Sequence, residues 1–187
     1  TIPAAYVLML GTLIQMVVPL PRIAALVVGA LLSIAYLWKG GFRTVVSTDK
    51  LQFAFMFGGF ILLLFFCFGR LPLAQLPSSI PASHLSWHGG NPAMYIILWY
   101  IVAAQTYIEP TFHQRCYAAR SEKVARFGTL VSVGLWFLFD LLTTLSGLYA
   151  RALVPELSDP VAAFPALGRA VLPGLLYGVF LAGLFAT

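Results

Sequence analysis

The chain has 187 residues, of which 60% are hydrophobic and only 9% charged, where a soluble domain carries about 25% charged residues. Its formal charge is +5 and its mean hydropathy +0.92. So few charges cannot clothe a globule of this volume in water. A soluble enzyme, a nucleic-acid binder, a secreted disulfide scaffold and a disordered tail are excluded, and the composition predicts an all-α integral membrane protein.

A hydrocarbon core of roughly 30 Å needs about 20 apolar residues as helix. Helix is predicted over strand because backbone polar groups find no partner in lipid except within the helix. Six spans are predicted, at about 4–18, 22–38, 51–69, 93–109, 126–150 and 171–187. Breaker residues separate them: Pro19 and Pro21, Gly40 with Gly41, a Pro- and Ser-rich stretch from Pro72 to Pro92, Pro110, and Pro155 to Pro173. The chain opens on Thr1 and both ends fall in apolar stretches, so it reads as an internal piece of a larger protein. Cys67 and Cys116 lie in or beside apolar segments on different sides, and no disulfide is implied.

Lysine and arginine set the orientation. Alternate gaps hold seven of these residues (Lys39, Arg43, Lys50, Arg115, Arg120, Lys123, Arg126) against four (Arg22, Arg70, Arg151, Arg169). The positive-inside rule then places loops 39–50 and 110–126 in the cytoplasm. The expected location is the plasma (inner) membrane. Ala54 with Gly58, and Gly174 with Gly178, have the four-residue spacing that lets helices approach closely in lipid. Frequent glycine in membrane helices explains the same pairs.

Few residues in these spans can carry chemistry. Thr48 and Asp49 precede the third span, where they can cap free backbone N–H groups or place a carboxylate at the cytoplasmic mouth of a cation path. Gln105 and Thr106 are uncharged polar residues inside an apolar helix, whose partner is another helix or a bound solute. Asp140 interrupts the apolar run Leu135–Leu142, where a charge costs a few kcal/mol, so it must face protein or water. It is an inter-helix anchor or a contact for an ion, proton or substrate. His84 and His88 sit in the Pro- and Ser-rich outer loop without acidic or cysteine neighbours, so no metal site is expected. Asp140, Gly147 and Arg151 loosely evoke lipid head-group transferases, but the clustered aspartates of those enzymes are missing. No HExxH, GxSxG or phosphate loop occurs, and no enzyme is expected.

Three blocks resemble the sodium:solute symporters. The first runs from Tyr36-Leu37-Trp38-Lys39-Gly40-Gly41-Phe42 through Thr48-Asp49 to Gln52. The second is Gln114-Arg115 with Ala118-Ala119-Arg120-Ser121. The third is Phe164-Pro165, Pro173-Gly174 and Gly178-Val179-Phe180-Leu181-Ala182-Gly183-Leu184. Their order and the spacing of the spans match the family over essentially the whole chain. The resemblance implies part of a leucine-transporter-like five-plus-five inverted-repeat bundle, with solute and sodium bound near the midplane at broken helices. It implies that 93–109 is the broken sixth core helix, with Val102, Gln105 and Thr106 near the solute. It also implies that Asp49 lies on the sodium exit route and Thr187 near a backbone carbonyl ligand of that ion. The expected function is sodium-coupled symport of a small polar solute across the lipid bilayer, with sodium as coupling ion, no other cofactor and no nucleic-acid partner. Two rivals are a symporter-like sensor domain of a signalling kinase and a membrane-embedded lipid enzyme.

Overall fold

The computed structural model describes residues 2–37, 41–157 and 159–185. Among the described residues eight α-helices run in chain order: α1 (Ile2–Val17), α2 (Arg22–Leu37), α3 (Gly41–Arg70), α4 (Ala93–Ala103), α5 (Pro110–Tyr117), α6 (Glu122–Leu153), α7 (Ala163–Val171) and α8 (Gly174–Phe185). Short 3₁₀ turns join some of them, and no strand occurs among the described residues. The chain divides into two compact units: residues 1–66 with 156–187, and residues 67–155.

Among the described residues two helical stretches can, by length and composition, cross a membrane, Val46–Arg70 and Glu122–Leu153. Two shorter apolar stretches, Val7–Val17 and Arg22–Ala35, form a pair bent by 115°. Pro19 and Pro21 fall at that bend, where proline cannot continue a helix. The apolar character of these helices agrees with an integral membrane protein.

In the first unit, α1 and α2 pack where glycine leaves room. A Cβ on Gly11 would stand 2.6 Å from Leu26 Cδ2, and Ala25 is completely buried. Elsewhere in this unit α3, α7 and α8 meet around aromatic rings. Phe60 lies edge-on to Phe164 at 5.1 Å and to Phe180 at 5.5 Å. Phe180 is 1% exposed and fills the space beside two glycines: a Cβ on Gly168 would meet its ring at 2.9 Å, and one on Gly59 at 3.3 Å. On α8, Gly183 lets the helix approach α3 backbone to backbone, with Phe55 O only 3.0 Å from where a Cβ would sit. Four-residue spacing did not find these places. Nothing lies within 4 Å of a Cβ at Gly58, Gly174 or Gly178. Which glycine meets a neighbour is set by helix rotation, which spacing alone does not give.

The second unit is built on α6. The Pro- and Ser-rich stretch folds into 3₁₀ turns at Leu73–Ser79 and Ala82–Leu85, and the first of these packs on α6 while burying Leu76. Tyr149, fully buried, donates its hydroxyl proton to Leu71 O at 3.0 Å, the first carbonyl past the end of α3. Its ring lies edge-on to Phe68 at 5.7 Å. A helix end leaves carbonyls without partners, and here a side chain 78 residues away supplies one.

Candidate functional site

The second unit places Val102, Gln105 and Thr106 at a break in the helical path. Pro92 opens α4 in an extended conformation, and the helix runs regularly to Ala103. From Ala104 to Ile108 it tightens into a 3₁₀ turn. Glu109 then turns extended (φ −71°, ψ 117°) because the ring of Pro110 disfavours helical geometry in the residue before it. Pro110 itself is well suited to the first turn of α5, where its missing N–H has no partner to lose. Within the span expected over 93–109, the α-helix ends at Ala103 and a 3₁₀ turn takes the chain to Ile108. The break falls where the polar residues are.

Val102, Gln105 and Thr106 are all exposed, and with about three residues per 3₁₀ turn Val102 and Gln105 fall on one side while Thr106 points roughly 120° away. The Gln105 amide and the Thr106 hydroxyl have no hydrogen bond among the described residues. Ile96, Trp99, Tyr100 and Ala103 line a shallow, open apolar hollow of about 240 Å³ on one face of α4, and Val102, Gln105 and Thr106 are not among its lining residues.

Two side chains hold the break in shape. His113 Nε2 is 2.8 Å from Tyr107 O. A carbonyl only accepts, so Nε2 carries the proton and the histidine donates. Thr111 Oγ1 donates to Glu109 Oε1 at 3.0 Å. His113 also stacks on Tyr117, with ring centroids 6.2 Å apart. The sequence analysis assigns His113 no role. Its partner is six residues back across a proline, and no helical register predicts that pairing.

The basic block that follows is a turn and a cap. Ala118 and Ala119 close α5, and Ser121 caps α6 by accepting from Val124 N at 3.3 Å, with Glu122 in the first turn where a negative charge is favoured. Asp140 lies far inside α6, 18 residues beyond Glu122, or about 27 Å along the axis. It is exposed, and its carboxylate has no hydrogen bond or ion pair among the described residues. Its neighbour Thr143 is occupied, donating to Phe139 O at 3.0 Å and to Asp140 O at 3.2 Å.

In the first unit, Asp49 does not stand at a helix start. α3 begins at Gly41, so Thr48 and Asp49 are interior residues two turns from its end, and the expected capping role is ruled out. No proline interrupts 41–50, so the segment expected as a loop is helical from Gly41 onward. Asp49 is half-buried and is not free of interactions. Thr187, and Trp38, Lys39 and Gly40 of the first sequence block, lie outside the described residues.

The histidines of the Pro- and Ser-rich stretch serve local structure. His88 Nδ1 accepts from Gly90 N at 3.0 Å within a turn in which Gly89 and Gly90 have φ of 57° and 83°, the left-handed region that favours glycine. No cluster of three or more His, Cys, Asp or Glu that could hold a metal occurs among the described residues.

Comparison with known proteins adds the following. The model of the sodium:solute symporter family matches residues 4–187. The sodium/pantothenate symporter of Haemophilus influenzae (strain ATCC 51907 / DSM 11121 / KW20 / Rd) is 30% identical over 166 residues, which cover 84% of this chain and 34% of that protein. The chain therefore spans about a third of the length of this curated relative. No solved structure matches it.

Proposed function

We propose that this chain, which belongs to the sodium:solute symporter family, is part of a secondary active transporter coupling inward sodium flow to uptake of a small polar solute across the cytoplasmic membrane. The observation that carries the reading is the family match over residues 4–187. The broken path at Ala104–Pro110 supports it from the side of geometry. The free amide and hydroxyl of Gln105 and Thr106 lie in this turn, just before the segment expected in the cytoplasm.

In this reading the chain contributes six spans to a leucine-transporter-like inverted-repeat bundle, with 39–50 and 110–126 facing the cytoplasm. Val102, Gln105 and Thr106 contact the solute. Asp49, half-buried near the start of the apolar part of α3, draws sodium toward its cytoplasmic exit. Thr187 stands close to the ion, and Asp140 is an intramembrane polar contact. Sodium binding favours one conformation of the bundle, solute binding adds to that preference, and rocking exposes both to the cytoplasm. The mechanism needs sodium as coupling ion and no other cofactor. The curated relative's name makes pantothenate the first solute to assay.

The test is uptake of labelled pantothenate by cells expressing the full protein, with external sodium or with choline in its place. Sodium-dependent uptake is expected. Asp49→Ala should raise the sodium concentration for half-maximal uptake at least several-fold, and Gln105→Ala should raise the KM for solute more than it lowers the maximal rate. Unchanged sodium dependence in Asp49→Ala defeats that residue's role. Uptake indifferent to sodium in the unaltered protein defeats the coupling itself.

A further inference from the structure

The start of α6 carries cations that nothing in its unit engages. Arg120, Lys123 and Arg126 are exposed, and none has a hydrogen bond or ion pair among the described residues. Glu122 is the only acid between Pro110 and Arg126, and among the described residues it forms no ion pair with Arg126 one turn on. Arg115, by contrast, is occupied, donating to Thr111 O at 3.4 Å.

At about 100° per residue, Lys123 stands at the head of an apolar stripe. Within about 40° of its direction, every residue from Phe127 to Leu148 is apolar or glycine, and Phe127, Leu130, Phe137 and Leu141 are exposed there. This is the composition of a surface turned to lipid. The neighbouring helix α5 packs on another side: Cys116 Sγ is 3.8 Å from Thr129 Oγ1, about 120° around α6 from Lys123. Arg126 lies one turn beyond Lys123 and about 60° to the side, close enough for both side chains to reach one group. The 32 residues of α6 measure about 48 Å against roughly 30 Å of hydrocarbon, so the helix reaches past the apolar layer. Lys123 precedes Phe127 by four residues, about 6 Å of helix, which sets it in a headgroup layer about 5–7 Å deep.

We propose that Lys123 and Arg126, with Arg120 just before the helix start, bind the phosphate of an anionic phospholipid while its acyl chains lie along Phe127, Leu130 and Phe137. The lipid belongs to the leaflet where α6 begins, the cytoplasmic one in the proposed orientation. Three free cations against one carboxylate leave a positive patch, which a headgroup carrying its own ammonium does not complement and a phosphodiester without one does. The stripe that continues from Lys123 gives the acyl chains a surface that a soluble phosphate would leave unused. The inference rests on the membrane setting of the chain and is independent of the solute and of sodium coupling.

The experiment uses the full protein with a photoreactive benzoylphenylalanine in place of Phe127, reconstituted in phosphatidylcholine vesicles with phosphatidylglycerol as a minor component. After irradiation the cross-linked lipid is identified by mass spectrometry. With each cation at a membrane surface contributing about fivefold, phosphatidylglycerol should be cross-linked about tenfold or more above its bulk share. Arg120→Gln, Lys123→Gln and Arg126→Gln combined should return it to near that share, whereas Arg120→Lys, Lys123→Arg and Arg126→Lys combined should keep the enrichment. Cross-linking at the bulk share in the parent overturns the proposal, as does enrichment unmoved by the three Gln changes. A cross-link to another segment of the protein in place of lipid overturns it too. If the Gln protein does not fold, the parent in about 1 M salt decides, since charges there are screened beyond about 3 Å, and undiminished enrichment overturns the proposal. Cross-linking is read without transport, so a protein that enriches phosphatidylglycerol but takes up no solute keeps this inference and loses the transport reading. One that transports without enrichment does the reverse.

Discussion

Replacing Tyr149 by phenylalanine removes one oxygen from a fully buried side chain and leaves the ring in place. That oxygen donates to Leu71 O at 3.0 Å, where the chain leaves α3 and enters the 3₁₀ turn at Leu73–Ser79. A buried hydrogen bond is worth about 1 kcal/mol net, and a carbonyl left without a donor raises the loss to about 1–2 kcal/mol. The folded-to-unfolded ratio should therefore fall roughly 5–30-fold. Tyr149→Ala also loses the ring that meets Phe68 at 5.7 Å and leaves a cavity, at a cost of about 3–5 kcal/mol. The assay is denaturant unfolding of the purified full protein in detergent micelles, followed by tryptophan fluorescence. The two variants should unfold earlier than the parent and in that order. If Tyr149→Phe unfolds with the parent while Tyr149→Ala does not, the ring holds this junction and the hydrogen bond does not. If neither shifts, the packing of the Leu73–Ser79 turn on α6 is refuted.

Other expected outcomes follow from the same geometry. Gly183→Val sets a branched side chain against Phe55 O, 3.0 Å from the Cβ position, and should destabilise the folded protein by about 1–3 kcal/mol, whereas Gly178→Ala, in open space, should be close to neutral in the same unfolding assay. Ser121→Ala removes the acceptor for Val124 N and should cost about 1 kcal/mol, with Ser121→Asp retaining most of the parent stability. Pro110→Ala frees Glu109 to become helical and His113→Ala releases Tyr107 O; each should raise the KM for solute, and parent-like kinetics in both would show that the shape of the break does not matter to binding.

The parts of this protein legible in the sequence are those that depend on the solvent and on the local backbone. Scarce charge and long apolar runs identify a helical membrane protein, since lipid satisfies no backbone group. Pro110 marks the break after Ile108 because its ring acts on the residue before it, whereas the start of α6, expected at about 126 from the apolar run, lies at Glu122 behind the Ser121 cap. Asp140 is conspicuous because a charge inside an apolar run needs an explanation wherever it points.

Tertiary structure decided the features that depend on rotation and distance. Glycine spacing could not show that Gly183 and Gly59 face neighbours while Gly58 and Gly178 do not, because a small turn of the helix exchanges them. The bond from Tyr149 joins residues 78 apart, and that from His113 reaches back over a proline; neither has a periodicity to read. Asp49 was misjudged at its local role for a related reason. A helix starts where the backbone first closes its hydrogen bonds, and nothing between Gly41 and Asp49 is strong enough to delay that start to the capping residues.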